Sequence, residues 1–352
     1  MLYYSYLSAT GGSNMKVLLI GNGINRYAGI VPGWDVLFSN AVKVKGFKVK
    51  RSLSPTLEYE LNTHTILDID NSKKTSDIKR DIARYLTEIQ EKLPKGWKNI
   101  IHEKLMQIAP EIILTTNYDY FLEHAADPDF KLGKASTRET LYSKERFRES
   151  GEHRIYHIHG EIATPSSICL GYGHYVGSIQ YIRSELTKAA ISKENHYHLY
   201  AVLKGYERPV QNRWYYHFFT DDLYILGFGL DAAEQDIWWL LNYRAEQMRT
   251  HPGLITNKIM YFETSSPYDY IPRHTWEDIK DNKENFEEYL RDYVRYEAHK
   301  QFIEQKKVLL EAFHVHVVDC TNQDDDSDAL NKNEIYARRY QRALDKLKDG
   351  RI

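Results

Sequence analysis

The chain has 352 residues, of which 42% are hydrophobic and 27% charged, which suits one large domain with insertions or two domains and supplies a sizeable core. A formal net charge of -2 gives no global basic field of the kind that draws nucleic acid, and no apolar run approaches the roughly 18 residues that span a membrane. The two cysteines, Cys169 and Cys320, form no CxxC pair, so four thiolates for a zinc site are lacking; two isolated cysteines fit a reducing cytosol.

Residues 1–14 lack the basic and apolar regions of a signal peptide and read as a loosely ordered extension. Lys16–Ile20 (KVLLI) is a short apolar run that stops at glycine, the pattern of a buried strand with a tight turn. Residues 24–45 are partly helical, with a break at Pro32-Gly33, and 46–74 show no clear period. Residues 76–108 carry helical spacing interrupted at Pro94-Lys95-Gly96. Further strands are expected at Glu111–Leu114, Arg154–Ile158, Leu223–Leu226, Lys258–Phe262 and Val315–Val318. Helices are expected over 174–204, 231–248, 276–312 and 333–348, the last after an acidic loop at Asp324-Asp325-Asp326. Short apolar strands separated by helices predict an α/β, Rossmann-like, mostly parallel sheet with helices on both faces. The expected organisation is a domain over 15–320 with helical insertions at about 46–108, 174–204 and 264–312, then a C-terminal helix within 321–352. The charged 264–312 stretch reads first as a solvated helical face and second as an interaction surface.

Four constellations sit where such a sheet binds ligands, outside the carboxyl ends of its strands. Gly21-Asn22-Gly23-Ile24-Asn25 follows the first strand. Closely spaced glycines let backbone amides approach a pyrophosphate, or simply turn a strand into a helix. The six-residue dinucleotide fingerprint fails, because Arg26 stands at its third glycine. Thr115-Thr116-Asn117-Tyr118-Asp119 follows the second strand. Asn117 offers a donor and an acceptor for a ribose diol or a water, while capping of the next helix explains the same residues. In His157-Ile158-His159-Gly160, strand alternation places both histidines on one face, with His159 at the strand end as a candidate base. No third or fourth ligand accompanies the pair, so no metal is expected. Gly227-Phe228-Gly229-Leu230 repeats the strand-and-glycine pattern, and Glu234 and Asp236 follow. Glu234 can accept from adenosine ribose hydroxyls, or act as a favourable acid near a helix N-terminus.

Taken in order, GNGIN at 21–25, TTNYD at 115–119, HIHG at 157–160 and GFGL at 227–230 resemble the sirtuin superfamily strings G-A-G-x-S, T-Q-N-x-D, H-G and G-T-S. The four-cysteine zinc module of the family's deacylases is replaced by Cys169 alone, Gly229 stands where serine is usual, and Gly-Ile-Pro-Asp-Phe-Arg is absent. This pattern is similar to the zinc-free, sirtuin-like NADases of bacterial antiphage defence, as are Gly33-Trp34-Asp35 and Leu170–Tyr175. The resemblance implies that Asn117 and His159 are catalytic. It implies NAD contacts from Gly21, Asn22, Gly23, Asn25, Thr116, Asp119, Gly227, Phe228, Gly229 and Glu234.

The implied activity is hydrolysis of the nicotinamide–ribose bond, with NAD as substrate and no zinc, in a cytoplasmic homo-oligomer. Some relatives of that branch work beside a HerA-type ATPase. A deacylase or ADP-ribosyltransferase, and a non-catalytic NAD or ADP-ribose sensor, are the alternatives.

Overall fold

The computed structural model describes residues 15–27, 54–93, 100–133, 139, 141–191, 197–210, 212–267, 269, 286–322 and 332–349. The expected extension at 1–14, the rest of the 24–45 helical reading with Gly33-Trp34-Asp35, the break at 94–96 and the acidic loop at 324–326 lie outside them. In chain order the elements begin with β1 (Lys16–Ile20), α1 (Gly23–Tyr27), α2 (Pro55–Ile69), α3 (Thr75–Glu91), α4 (Ile100–Ile108), β2 (Ile112–Thr115) and α5 (Phe121–Ala126). They continue through β3 (Phe147–Ser150), β4 (His153–His157), α6 (Tyr172–Thr187), α7 (His198–Leu203), α8 (His217–Thr220) and β5 (Asp222–Leu226). The last are α9 (Gln235–Thr250), β6 (Ile259–Glu263), α10 (Phe286–Ala312), β7 (Val315–Asp319) and α11 (Lys332–Asp349).

The seven strands form one sheet in the order β3-β4-β2-β1-β5-β6-β7. All neighbours are parallel except β3, which turns antiparallel onto β4. Without that hairpin strand, the order is that of a doubly wound Rossmann sheet, whose direction of winding reverses between β1 and β5. The chain thus has an α/β, Rossmann-like fold. β3 was not expected from the sequence: Phe-Arg-Glu-Ser is an edge strand, too short and too charged to show an apolar run.

The central strands are apolar throughout because both faces are covered. Val17 and Leu19 of β1 belong to one core, with Ile112, Leu114, Leu223 and Ile225 beside them. Leu18 and Ile20 face the other, with Ile113, Tyr224 and Leu226. The first core is closed by α6 to α9, including Ile182, Leu199, Phe218 and Leu240. The second is closed by α4 and α11, through Leu105, Tyr340 and Leu344. Each such side chain contributes roughly 1.5–3 kcal/mol on burial, so the two cores hold the sheet and its covering helices together.

A third cluster joins α2 and α3 to the loops beyond the strand ends. Tyr59, Ile78, Ile82 and Leu86 pack on Tyr118, Phe121, Ile162 and Ile168. In α3, Ile78, Ile82 and Leu86 recur at four-residue intervals, so one helical stripe seats this unit over the carboxyl edge of the sheet.

Candidate functional site

A cleft enclosing about 1070 Å³, open solvent at its mouth included, lies at the carboxyl ends of β1, β2 and β5. Its wall includes Asn22, Gly23, Thr116, Asn117, Asp119, His159, Gly227, Phe228, Gly229 and Glu234. Four sequence segments expected to carry chemistry therefore meet at the point where strand winding reverses.

Gly21 and Asn25 do not reach the cleft wall. Gly21 N donates to Leu226 O at 3.1 Å and Gly23 N to Gly227 O at 2.7 Å, tying the two glycine turns together. A Cβ on Gly21 would stand 2.5 Å from both Gly227 O and Phe228 Cα, so only glycine permits this approach. Gly227 has φ 65°, a left-handed turn that lets β5 end here. Asn25 is fully buried: Nδ2 donates to Asp119 Oδ2 at 3.0 Å, and Oδ1 lies 2.8 Å from His102 Nε2. Burial holds the His102 ring down at about 3, so it is neutral and Nε2–H donates to Asn25. Asn25 acts behind the cleft, on Asp119.

Asp119 also accepts from Phe121 N at 3.3 Å, which is the capping arrangement open from the sequence. Burial pushes its carboxyl up to about 6, against the Phe121 N–H, His157 and Asn25. Asn117 is the contrasting case. It is 4% exposed and lines the cleft, yet among the described residues neither Nδ2 nor Oδ1 has a hydrogen-bond partner. Asn22 Oδ1, on the opposite turn, is likewise unpartnered. Buried polar atoms are nearly always paired, so an orphaned donor and two orphaned acceptors facing one cleft fit a polyhydroxylated ligand.

The two histidines part company. β4 ends at His157, and Ile158-His159 turn out of the strand through Gly160 N to His157 O at 3.0 Å. The expectation that both lie on one face fails because strand alternation stops one residue too early. His157 instead joins Glu123 of α5 and the Asn117 carbonyl. His159 turns toward the start of α9, where Nε2 lies 3.1 Å from both Asp236 oxygens and Nδ1 lies 3.5 Å from Glu234 Oε2. Tyr175 packs edge-on to the His159 ring at 5.4 Å, and its hydroxyl lies 3.5 Å from Glu234 Oε2. Burial alone would lower His159, but Asp236 and then Glu234 hold it up at about 9. Burial raises Glu234 to about 8, opposed by His159. At neutral pH His159 is therefore a cation held between the carboxyl groups of Asp236 and Glu234.

Glu234, expected beside an adenosine ribose, lines the cleft next to the candidate base. Asp236 stands in the sequence two residues on, but nothing in the spacing reveals that it clamps His159. Arg26 also lines the cleft and is its one cation among the described residues apart from His159. The histidine, Glu234 and Asp236 place ligand-capable atoms within 4.8 Å of one another. Hydrogen bonds and ion pairs among themselves account for those contacts.

The loop that carries His159 is anchored below by a buried ionic group. Glu161 accepts from Arg146 and Arg148, at 2.8 Å each, and from the Tyr120 hydroxyl at 3.0 Å. Burial would raise the Glu161 carboxyl, but Arg148, His157 and Arg146 bring it to about 2, so it is ionised at any physiological pH.

Residues 111–237 match the family model of the SIR2-like domain. The matched segment runs from the start of β2 to the first turn of α9 and contains Asn117, His159, Gly227, Glu234 and Asp236. It points broadly to NAD-related activity. No curated protein matches the chain. Among the described residues, no helix is long and apolar enough to cross a membrane.

Proposed function

We propose that the cleft binds NAD and that the protein hydrolyses its nicotinamide–ribose bond, giving nicotinamide and ADP-ribose. The observation that carries this reading is Asn117, a buried amide with both polar atoms unpartnered in the cleft, beside the His159 cluster. Nicotinamide leaves as a neutral molecule from an already cationic ring, through an oxocarbenium-like state, so no strong acid is needed. Asn117 orients the ribose hydroxyls or the attacking water, and the His159 cluster takes the water's proton. Asn22 and the glycine turns, with Arg26, suit the pyrophosphate, whose charge a cation and backbone N–H groups favour.

By resemblance, the setting we propose is a cytoplasmic homo-oligomer that depletes NAD in antiphage defence, with a HerA-type ATPase as a candidate partner. The test is incubation of the purified protein with NAD, alone and with candidate triggers, followed by chromatography for free nicotinamide. Release that disappears in Asn117→Ala supports the reading. Tight NAD binding without release under every condition would instead make the protein a sensor.

A further inference from the structure

His159 lines the cleft, yet both of its ring nitrogens face carboxyl groups. Nε2 faces both oxygens of Asp236 at 3.1 Å, and Nδ1 faces Glu234 Oε2 at 3.5 Å. The ring is 2% exposed, and Tyr175 closes one side of it. Asp236 is fully buried and absent from the cleft wall. Glu234 is the member of the trio that combines a carboxylate, a place on the cleft wall and partial exposure, 11% of its side chain. An acceptor of a substrate proton must come within about 2.6–3.2 Å of it, and of these groups only Glu234 can do so without the cluster coming apart.

Resting on the NAD-hydrolase reading, we propose that Glu234 is the catalytic proton acceptor of this site, and that His159, clamped by Asp236, is a positioning residue that acts through it. In the step, water oxygen bonds to C1′ of the ribose as the C1′–N bond breaks, and that electron pair stays on nicotinamide. One water proton passes to the Glu234 carboxylate and the hydroxyl remains on C1′. The net products are nicotinamide, ADP-ribose and one proton, which Glu234 later returns to solvent. The histidine cation favours the ionised form of Glu234 that the step requires. Asp236 fixes the ring and keeps it charged, as a buried acid does for a catalytic histidine elsewhere. The groups that face Glu234 are His159 after β4, Asp236 of α9, Asp231 of the β5 turn, Tyr175 of α6, Tyr118 after β2 and Cys169. Burial and the two remaining acids disfavour its ionisation, while His159 and then the Tyr175 hydroxyl favour it.

The experiment compares wild type, Glu234→Gln and Glu234→Asp in two assays. The first is nicotinamide release against pH. The second is calorimetry of ADP-ribose binding in buffers of different ionisation enthalpy, which reads proton exchange without any turnover. Wild-type turnover should rise with pH along a limb well above the ordinary carboxylate range. Glu234→Gln should lower kcat by about 10²–10⁴-fold and lose that limb. Glu234→Asp should keep the limb with part of the activity. ADP-ribose binding by wild type should be accompanied by proton exchange that Glu234→Gln abolishes, at similar affinity. Wild-type turnover and pH profile in Glu234→Gln would overturn the assignment while leaving the hydrolase reading intact. If wild type releases no nicotinamide, the hydrolase reading fails. In that case unchanged proton exchange in Glu234→Gln would also remove Glu234 as the titrating group at the ligand.

Discussion

Glu123 accepts a hydrogen bond from His157 at 2.7 Å, both residues fully buried, while the other nitrogen of the same ring lies 2.8 Å from the Asn117 carbonyl. A carbonyl and a carboxylate can only accept, so both ring nitrogens donate and His157 is an imidazolium. Burial would lower its pKa, but Glu123 raises it, with Glu161 and the Asn117 carbonyl, to about 8. His157 thus pins the backbone of the residue whose amide faces the cleft. His157→Gln leaves Glu123 buried without its cation and should cost about 3–5 kcal/mol. Denaturant unfolding reads the stability, and a loss of nicotinamide release beyond the unfolded fraction reads the displacement of Asn117. A variant as stable and active as wild type would show that the ring positions nothing.

Gly21→Ala tests the joined glycine turns. The new methyl group meets backbone, Gly227 O and Phe228 Cα at 2.5 Å, and backbone cannot rotate out of the way. Overpacking of this kind costs about 1–3 kcal/mol. Because Gly227 and Phe228 form the cleft wall, ADP-ribose affinity should fall together with the melting temperature. Unchanged affinity would mean that the turn is a structural joint only.

The sheet was legible because its central strands are buried on both faces, which forces continuous apolar runs such as KVLLI. β3 was not, because Arg148 enters the core only as the partner of Glu161, and a buried ion pair leaves no hydrophobic signature. The convergence of Asn117, His159 and Gly227 followed from parallel strands sharing one carboxyl edge. The division of labour around them did not. Asn25 is held by His102, 77 residues away, and Asp119, 94 residues away, pairs with it. Leu230, at φ 49°, and the Asp231 turn delay α9 to Gln235, and that delay puts Glu234 and Asp236 on His159. Spacing along a chain reports periodicity within an element, not which distant side chain completes a pair.

Chelation should leave turnover unchanged. Among the described residues, His159, Glu234 and Asp236 have metal-compatible spacing, but they are engaged with one another. Both cysteines are buried free thiols that burial pushes up, Cys320 to about 11, so neither is a ready thiolate ligand. Elemental analysis of the purified protein checks this, and one zinc per chain would overturn it.

Stability should fall on the alkaline side through His159. Its folded pKa, about 9, lies above the ordinary histidine value of 6.5. The folded state therefore holds a proton that the unfolded chain releases earlier. The stabilisation is fully present below about pH 6.5 and is lost as pH rises through about 9. Asp236→Asn removes the largest source of the upward shift, so it should flatten the fall in melting temperature between those limits. A variant whose alkaline limb matches that of wild type would place the titration elsewhere.

The strongest constraint on the reaction comes from combining Asn117→Ala with His159→Ala. Asn117 and the His159 cluster line one cleft, and in the proposed hydrolysis they serve a single step, orientation of the ribose or water and removal of its proton. Each single variant should lower nicotinamide release by roughly 10²–10⁴-fold. Residues that act as a unit are strongly non-additive, so the double variant should be little worse than the poorer single one. Binding should survive in part, since Asn22, Gly23 and Gly227 to Gly229 also line the cleft. His159→Ala also leaves Asp236 buried without its partner, so melting temperature must be followed, and His159→Gln provides a variant that can still donate to that carboxylate. Single-turnover measurements with bound NAD separate chemistry from affinity. Fully multiplicative losses in the double variant would mean that the two residues act on different steps, and wild-type turnover in both histidine variants would take His159 out of the reaction.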